Sequence, residues 1–143
     1  MGVSSDAIVV GTDGSSTAAL AVDHAARMAK STSAVLHLVC AYELVPGHGL
    51  AAEALAYCDP RKDAETCLSE AAALISTSGV EVETHAVPGS AASALVDIAR
   101  ETGASMLVVG NKGMTGSRRF LLGSVPNKIS DHAPCSVTIV RTS

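Results

Sequence analysis

The sequence predicts a single α/β domain over residues 1–143, doubly wound, with a mostly parallel sheet and helices on both faces. Three observations carry this. Strand-type and helix-type patterns alternate along the whole chain, and parallel neighbours need the crossover connections that such alternation supplies. Two short apolar runs, Ala7–Gly11 and Met106–Gly110, end in glycine without polar alternation, as strands buried on both faces do. The chain has 143 residues, 48% apolar and 17% charged, which suits one domain with a core of its own.

The elements follow in order. After the first strand, Ala7–Gly11, Ser15 and Ser16 can cap a helix in which Ala18, Ala21, Val22, Ala25, Met28 and Ala29 repeat at helical spacing. A second apolar strand spans Ala34 to Ala41. Tyr42 to Cys58, with Pro46, Gly47 and Gly49, reads as a long connection. Asp59-Pro60 places an acidic cap before a proline at the first helical position, and that helix is expected to reach Ser78 and stop at Gly79. Val80 to Val87 alternates apolar and polar residues, the signature of a strand exposed on one face and so of a sheet edge. Pro88-Gly89 turns the chain, Ser90 caps a helix carrying Leu95, Ile98 and Ala99, and Gly103 closes it. Met106–Gly110 is followed by a glycine-rich loop, a short helix from about Val125, and a last strand, Ser136 to Arg141.

Composition excludes several classes of function. Ten basic against fourteen acidic residues give a net charge of −4, which argues against a general nucleic-acid surface. Tyr42, Tyr57 and Phe120 are the only aromatics, so stacking platforms are nearly absent. No apolar stretch approaches the ~20 residues of a membrane span. The N-terminus lacks a basic segment followed by an apolar run, so no signal peptide is expected and a cytoplasmic location is. Cys40, Cys58, Cys67 and Cys135 form no C-x-x-C pair and no zinc-ligand spacing, and they read as unpaired structural thiols. The five histidines are dispersed, and His37 and His85, both in strands, read as hydrogen-bonded structural residues. No dedicated metal site is expected.

In doubly wound sheets, ligands sit outside the carboxyl ends of the strands, where the strand order reverses. Two strand ends carry the signal. One is Gly11-Thr12-Asp13-Gly14. The other is Gly110-Asn111-Lys112-Gly113, followed after nine residues by Gly123-Ser124. Glycines permit close backbone approach to a ligand, and Ser124 opens a helix whose free N–H groups favour phosphate.

The spacing G-x2-G-x9-G-(S/T), with the Gly11–Ser15 turn and the element order, resembles the nucleotide-binding signature of the universal stress protein family. The resemblance covers essentially the whole chain. It implies a Rossmann-like, five-stranded parallel sheet of order 3-2-1-4-5 that binds ATP or another adenine nucleotide between strands one and four. Gly11, Thr12 and Asp13 would then lie beside the adenosine, with Asp13 accepting from ribose hydroxyls or holding a nucleotide-bound Mg²⁺ or Mn²⁺. As a plain turn residue, Asp13 is also well placed. Ala41 and Val109 would line the adenine slot, and both also suit a plain core. Gly110, Lys112, Gly113, Gly123, Ser124 and Val125 would surround the phosphates, with Arg118 and Arg119 as further candidates.

One departure matters. Family members that bind ATP often carry Ser or Thr two residues after the signature Ser, where this chain has Pro126. Proline supplies neither hydroxyl nor N–H. AMP or cyclic AMP therefore stands beside ATP as the expected ligand.

Rival readings are weaker. Gly47-His48-Gly49-Leu50-Ala51-Ala52 matches G-x-G-x-x-A but follows the second strand. There is no G-x4-G-K-(S/T) and no G-x-S-x-G. A receiver domain needs an acidic cluster where Asp13 stands alone, and a flavin carrier needs an aromatic. No water-activating group can be named, so the expected function is a stress-response binding module, at most a slow ATP hydrolase. The final strand, apolar and β-branched, would lie at a sheet edge, which suggests a homodimer through Val137, Ile139 and Val140.

Overall fold

The computed structural model describes residues 6–43, 59–111, 129 and 132–141. Within them five strands form one sheet in the order β3-β2-β1-β4-β5. They are β1 (Ala7–Gly11), β2 (Val35–Tyr42), β3 (Val82–Pro88), β4 (Met106–Gly110) and β5 (Ser136–Val140). Every pairing is parallel, with Ile8 opposite Leu36 on one side of β1 and opposite Met106 on the other. The strand order reverses between β1 and β4, as the doubly wound reading requires.

Among the described residues three helices cross between the strands: α1 (Ser16–Thr32), α2 (Pro60–Leu74) and α3 (Ala91–Thr102). Each starts on the side chain that the sequence offers. Ser15 Oγ accepts from Ala18 N, Asp59 Oδ1 accepts from the amides of Arg61 and Lys62, and Ser90 Oγ accepts from Ser93 N. Such caps satisfy donors at the helix start that have no partner within the helix. At the other ends, Ser33 and Gly103 take left-handed conformations that return their amides to the last helical carbonyls.

The largest boundary differences from expectation are in the second helix and the third strand. The second helix ends at Leu74, not Ser78: Ile75 leaves helical geometry and a 3₁₀ turn covers Ser76–Ser78 before Gly79 at φ 81°. The cause is local. Ser76 Oγ donates to Ala73 O and Ser78 Oγ to Ile75 O, bonds by which hydroxyls compete with a continuing helix. The third strand starts at Val82 and runs through Pro88, which is tolerated because β3 is an edge strand.

The sheet divides the core into two clusters. Ile8, Val10, Leu36, Leu38 and Val108 face α1 and α2, meeting Val22, Ala25, Ala64 and Leu68. Ala7, Val9, Val39, Leu107 and Val109 face α3 and Ile129, meeting Leu95, Ile98 and Ala99. Alternation along each strand sends successive side chains to opposite clusters. No helix among the described residues is long and apolar enough to cross a membrane.

Candidate functional site

At the carboxyl edge of the sheet, β1 and β4 run side by side with Val10 opposite Val108, so β1 ends at Gly11 one position short of the level at which β4 ends at Gly110, both beside the reversal point. Helix α3 sets how closely the chain can fold there. A Cβ on Gly11 would stand 3.2 Å from both Leu95 methyl carbons, so only glycine fits without moving that side chain.

The turn after β1 is held by its own side chains. Thr12 N donates to Val39 O at 2.9 Å, which carries the chain one residue further beside β2. The Thr12 hydroxyl, buried with the residue, accepts from Gly14 N at 3.1 Å. Asp13 Oδ1 accepts from Ser15 N at 2.9 Å, the side-chain turn that Asp forms readily. Gly14 lies at φ 85°, and a Cβ there would come within 3.2 Å of Cys67 Sγ on α2. The amides of residues 12, 14 and 15 thus have partners inside the protein.

The other sequence-derived site residues fall into two groups. Ala41, partly buried near the end of β2, sits opposite Val87 and packs against the second core cluster. Val109 is 5% exposed and belongs to that cluster, so its side chain is core. Gly110 is partly exposed at the end of β4, and Asn111 N beyond it donates to Val140 O at 3.0 Å. Lys112, Gly113, Arg118, Arg119, Gly123, Ser124, Val125 and Pro126 lie outside the described residues, as does Gly47–Ala52.

Two pairs beneath and beside this turn escaped the reading of the sequence. Cys40 and Cys67 pack in the same core cluster, close enough to act on each other's thiol, and Cys40 Sγ donates to Ala41 O at 3.9 Å. Burial pushes the Cys40 thiol up to about 12, with the Cys67 neighbour and the Asp13 charge adding to it. Burial also raises Cys67. The helical repeat Ala64, Cys67, Leu68, Ala71 carried the signal, since it turns Cys67 toward the sheet. The second pair is His37 and His85, whose ring nitrogens Nδ1 and Nε2 are 2.9 Å apart. Both were expected to be hydrogen-bonded, but that they bond each other depends on strand register, which no local pattern reveals.

A five-stranded parallel sheet of order 3-2-1-4-5 with glycine-ended strands at its reversal point defines a doubly wound ligand-binding fold. Comparison with known proteins narrows the class. The family model described as "Universal stress protein family" matches residues 5–141. Universal stress protein Rv1636 of Mycobacterium tuberculosis is 36% identical over 147 residues, covering 95% of this chain and 96% of the relative. Universal stress protein YxiE of Bacillus subtilis is 31% identical over 147 residues, covering 94% and 97%. The chain belongs to the universal stress protein family. Among solved structures, a universal stress protein in complex with cAMP is 33% identical with TM-score 0.72, covering 99% of this chain and 100% of that one. The fold is also that of UspA from Lactobacillus plantarum, at 22% identity, TM-score 0.80, and coverage of 98% and 100%.

Proposed function

We propose that this chain binds an adenine nucleotide at the carboxyl ends of β1 and β4 and acts as a stress-response binding module with little or no turnover. The observation that carries the reading is that Gly11 and Gly110 end the two adjacent strands flanking the strand-order reversal, where a doubly wound sheet opens its crevice. Because the turn at residues 12–15 already uses three of its amides, it suits an adenosine moiety better than a phosphate. Asp13 holds Ser15 N through Oδ1, and Oδ2 takes no part in that bond. That second oxygen would accept from a ribose hydroxyl or meet a nucleotide-bound Mg²⁺ or Mn²⁺. The phosphates would fall to Gly110, Lys112, Gly113, Gly123, Ser124 and Val125.

Cyclic AMP is favoured over ATP by two observations. Pro126 removes a hydroxyl and an amide from the phosphate side, and a relative 33% identical to this chain was crystallised with cAMP. A cyclic phosphodiester carries one negative charge and needs fewer donors than a triphosphate. The deciding experiment is calorimetric titration of the purified chain with cyclic AMP, AMP, ATP and GTP, with mass spectrometry of any ligand released on denaturation. Adenine nucleotides should bind and GTP should bind much more weakly. Equal affinity for ATP and GTP, or no binding of any nucleotide, would overturn the reading.

A further inference from the structure

Three metal-ligating side chains meet on the sheet away from the nucleotide crevice. On paired strands, His37 of β2 stands opposite Glu83 of β3, and Val39 stands opposite His85. Parallel register therefore sends His37, Glu83 and His85 to one face of the sheet. Their donor atoms all lie within 4.8 Å of one another. His37 Nδ1 is 2.9 Å from His85 Nε2 and 4.0 Å from Glu83 Oε1.

We propose that His37, Glu83 and His85 form a binding site for a divalent transition-metal ion of the zinc class. Zinc bonds to imidazole nitrogen and carboxylate oxygen at ~2.0–2.1 Å, and tetrahedral angles then separate neighbouring donors by ~3.3 Å. Two of the separations bracket that value and the third lies within 4.8 Å, so side-chain adjustments of up to about 1.5 Å bring the donors to it. Two imidazoles and one carboxylate make a borderline donor set, suited to zinc and its neighbours rather than to magnesium or calcium.

The surroundings support a cation. Burial and the neighbouring His85 oppose a positive charge on His37 itself, while Glu81 adds a second nearby carboxylate to that of Glu83. His37 is buried at 6% exposure whereas Glu83 is exposed and His85 partly so, which leaves one side open for a water as fourth ligand. The donors stand on two hydrogen-bonded strands rather than on a loop, which holds them in register. The site is displaced sideways from the crevice: it stands on β2 and β3 at the level of Val9 to Gly11, whereas the reversal point lies between β1 and β4, on the other side of β1. In the metal-free protein one imidazole donates to the other. Metal binding needs only that this proton sit on the far ring nitrogen, with both near lone pairs turned to the ion.

The test uses the tag-free chain, stripped with a chelator and free of nucleotide. It is titrated with Co²⁺ by absorbance and with Zn²⁺ against a chromophoric chelator. The parent should take up one equivalent with the visible bands of tetrahedral cobalt and without the strong near-ultraviolet bands of thiolate ligation. His85→Gln and Glu83→Gln, both at exposed or partly exposed positions and checked for fold by circular dichroism, should each lower zinc affinity by at least about tenfold. A parent that binds no cobalt, a spectrum dominated by thiolate bands, or folded variants that bind as tightly as the parent would each overturn the proposal.

Discussion

Cys40 shows how one side chain couples the core to the crevice. Burial favours its neutral thiol, moving its ionisation from an ordinary 9.0 to about 12. The folded state therefore holds this proton more tightly than the unfolded chain. The resulting stability is complete below pH 9.0 and is lost as pH rises toward about 12. Thermal midpoints measured up the alkaline range should fall more steeply for the parent than for Cys40→Ala. In the folded protein iodoacetamide should modify partly exposed Cys135 well before buried Cys40, and peptide mapping after urea should show the difference gone. Similar rates in the folded state would contradict the burial argument. Gly14 is the neighbouring test. At φ 85°, with Cys67 Sγ 3.2 Å from the position of a Cβ, Gly14→Ala should cost about 1–2 kcal/mol in urea denaturation. Adding Cys67→Ala should recover only the steric part. Neither effect was legible in the sequence, where Cys40 and Cys67 stood twenty-seven positions apart as separate thiols.

Helix starts were the most legible elements, because a cap acts within three residues. Ser15, Asp59 and Ser90 each do in the structure what their position suggested. Ser15→Ala should therefore cost about 1 kcal/mol of stability by removing the acceptor for Ala18 N. It also removes the Oγ contact to Thr17, so a loss below a few tenths of a kcal/mol would mean that the turn supports the helix without its cap. Helix ends were less legible. The stop at Leu74 comes from hydroxyls bonding back to Ala73 and Ile75, whereas Gly79 five residues on looked like the natural terminator. At β5 the exposed side is narrower than the sequence suggested. Ile139 is 41% exposed, but Val137 and Val140 pack against opposite core clusters. If two copies pair through this edge, Ile139→Lys should shift the equilibrium toward monomer in sedimentation at micromolar concentration. A parent already monomeric there would remove the idea.

For the whole molecule, the parallel doubly wound class was readable because alternation of strand and helix leaves few ways to build a sheet, whereas the strand order came from the family resemblance. The glycine-ended runs Ala7–Gly11 and Met106–Gly110 became the two central strands that flank the reversal. The candidate site was readable only as two strand ends. The chemistry under them, Cys67 against Gly14 and Leu95 against Gly11, comes from helices distant in sequence. Slow turnover is the expectation at this scale. Steady-state phosphate release from ATP should stay far below the ~10 s⁻¹ of a typical enzyme. Rapid magnesium-dependent release, abolished by Asp13→Ala, would show the site to be catalytic.

The closed set of bonds at residues 12–15 has a consequence for how binding would register over time. Amides already bonded in the empty protein exchange more slowly than free ones, to the extent that the bonded turn resists opening. Thr12, Gly14 and Ser15 should therefore be protected beforehand and gain little more when a nucleotide is added. This side of the crevice would then act as a preset wall.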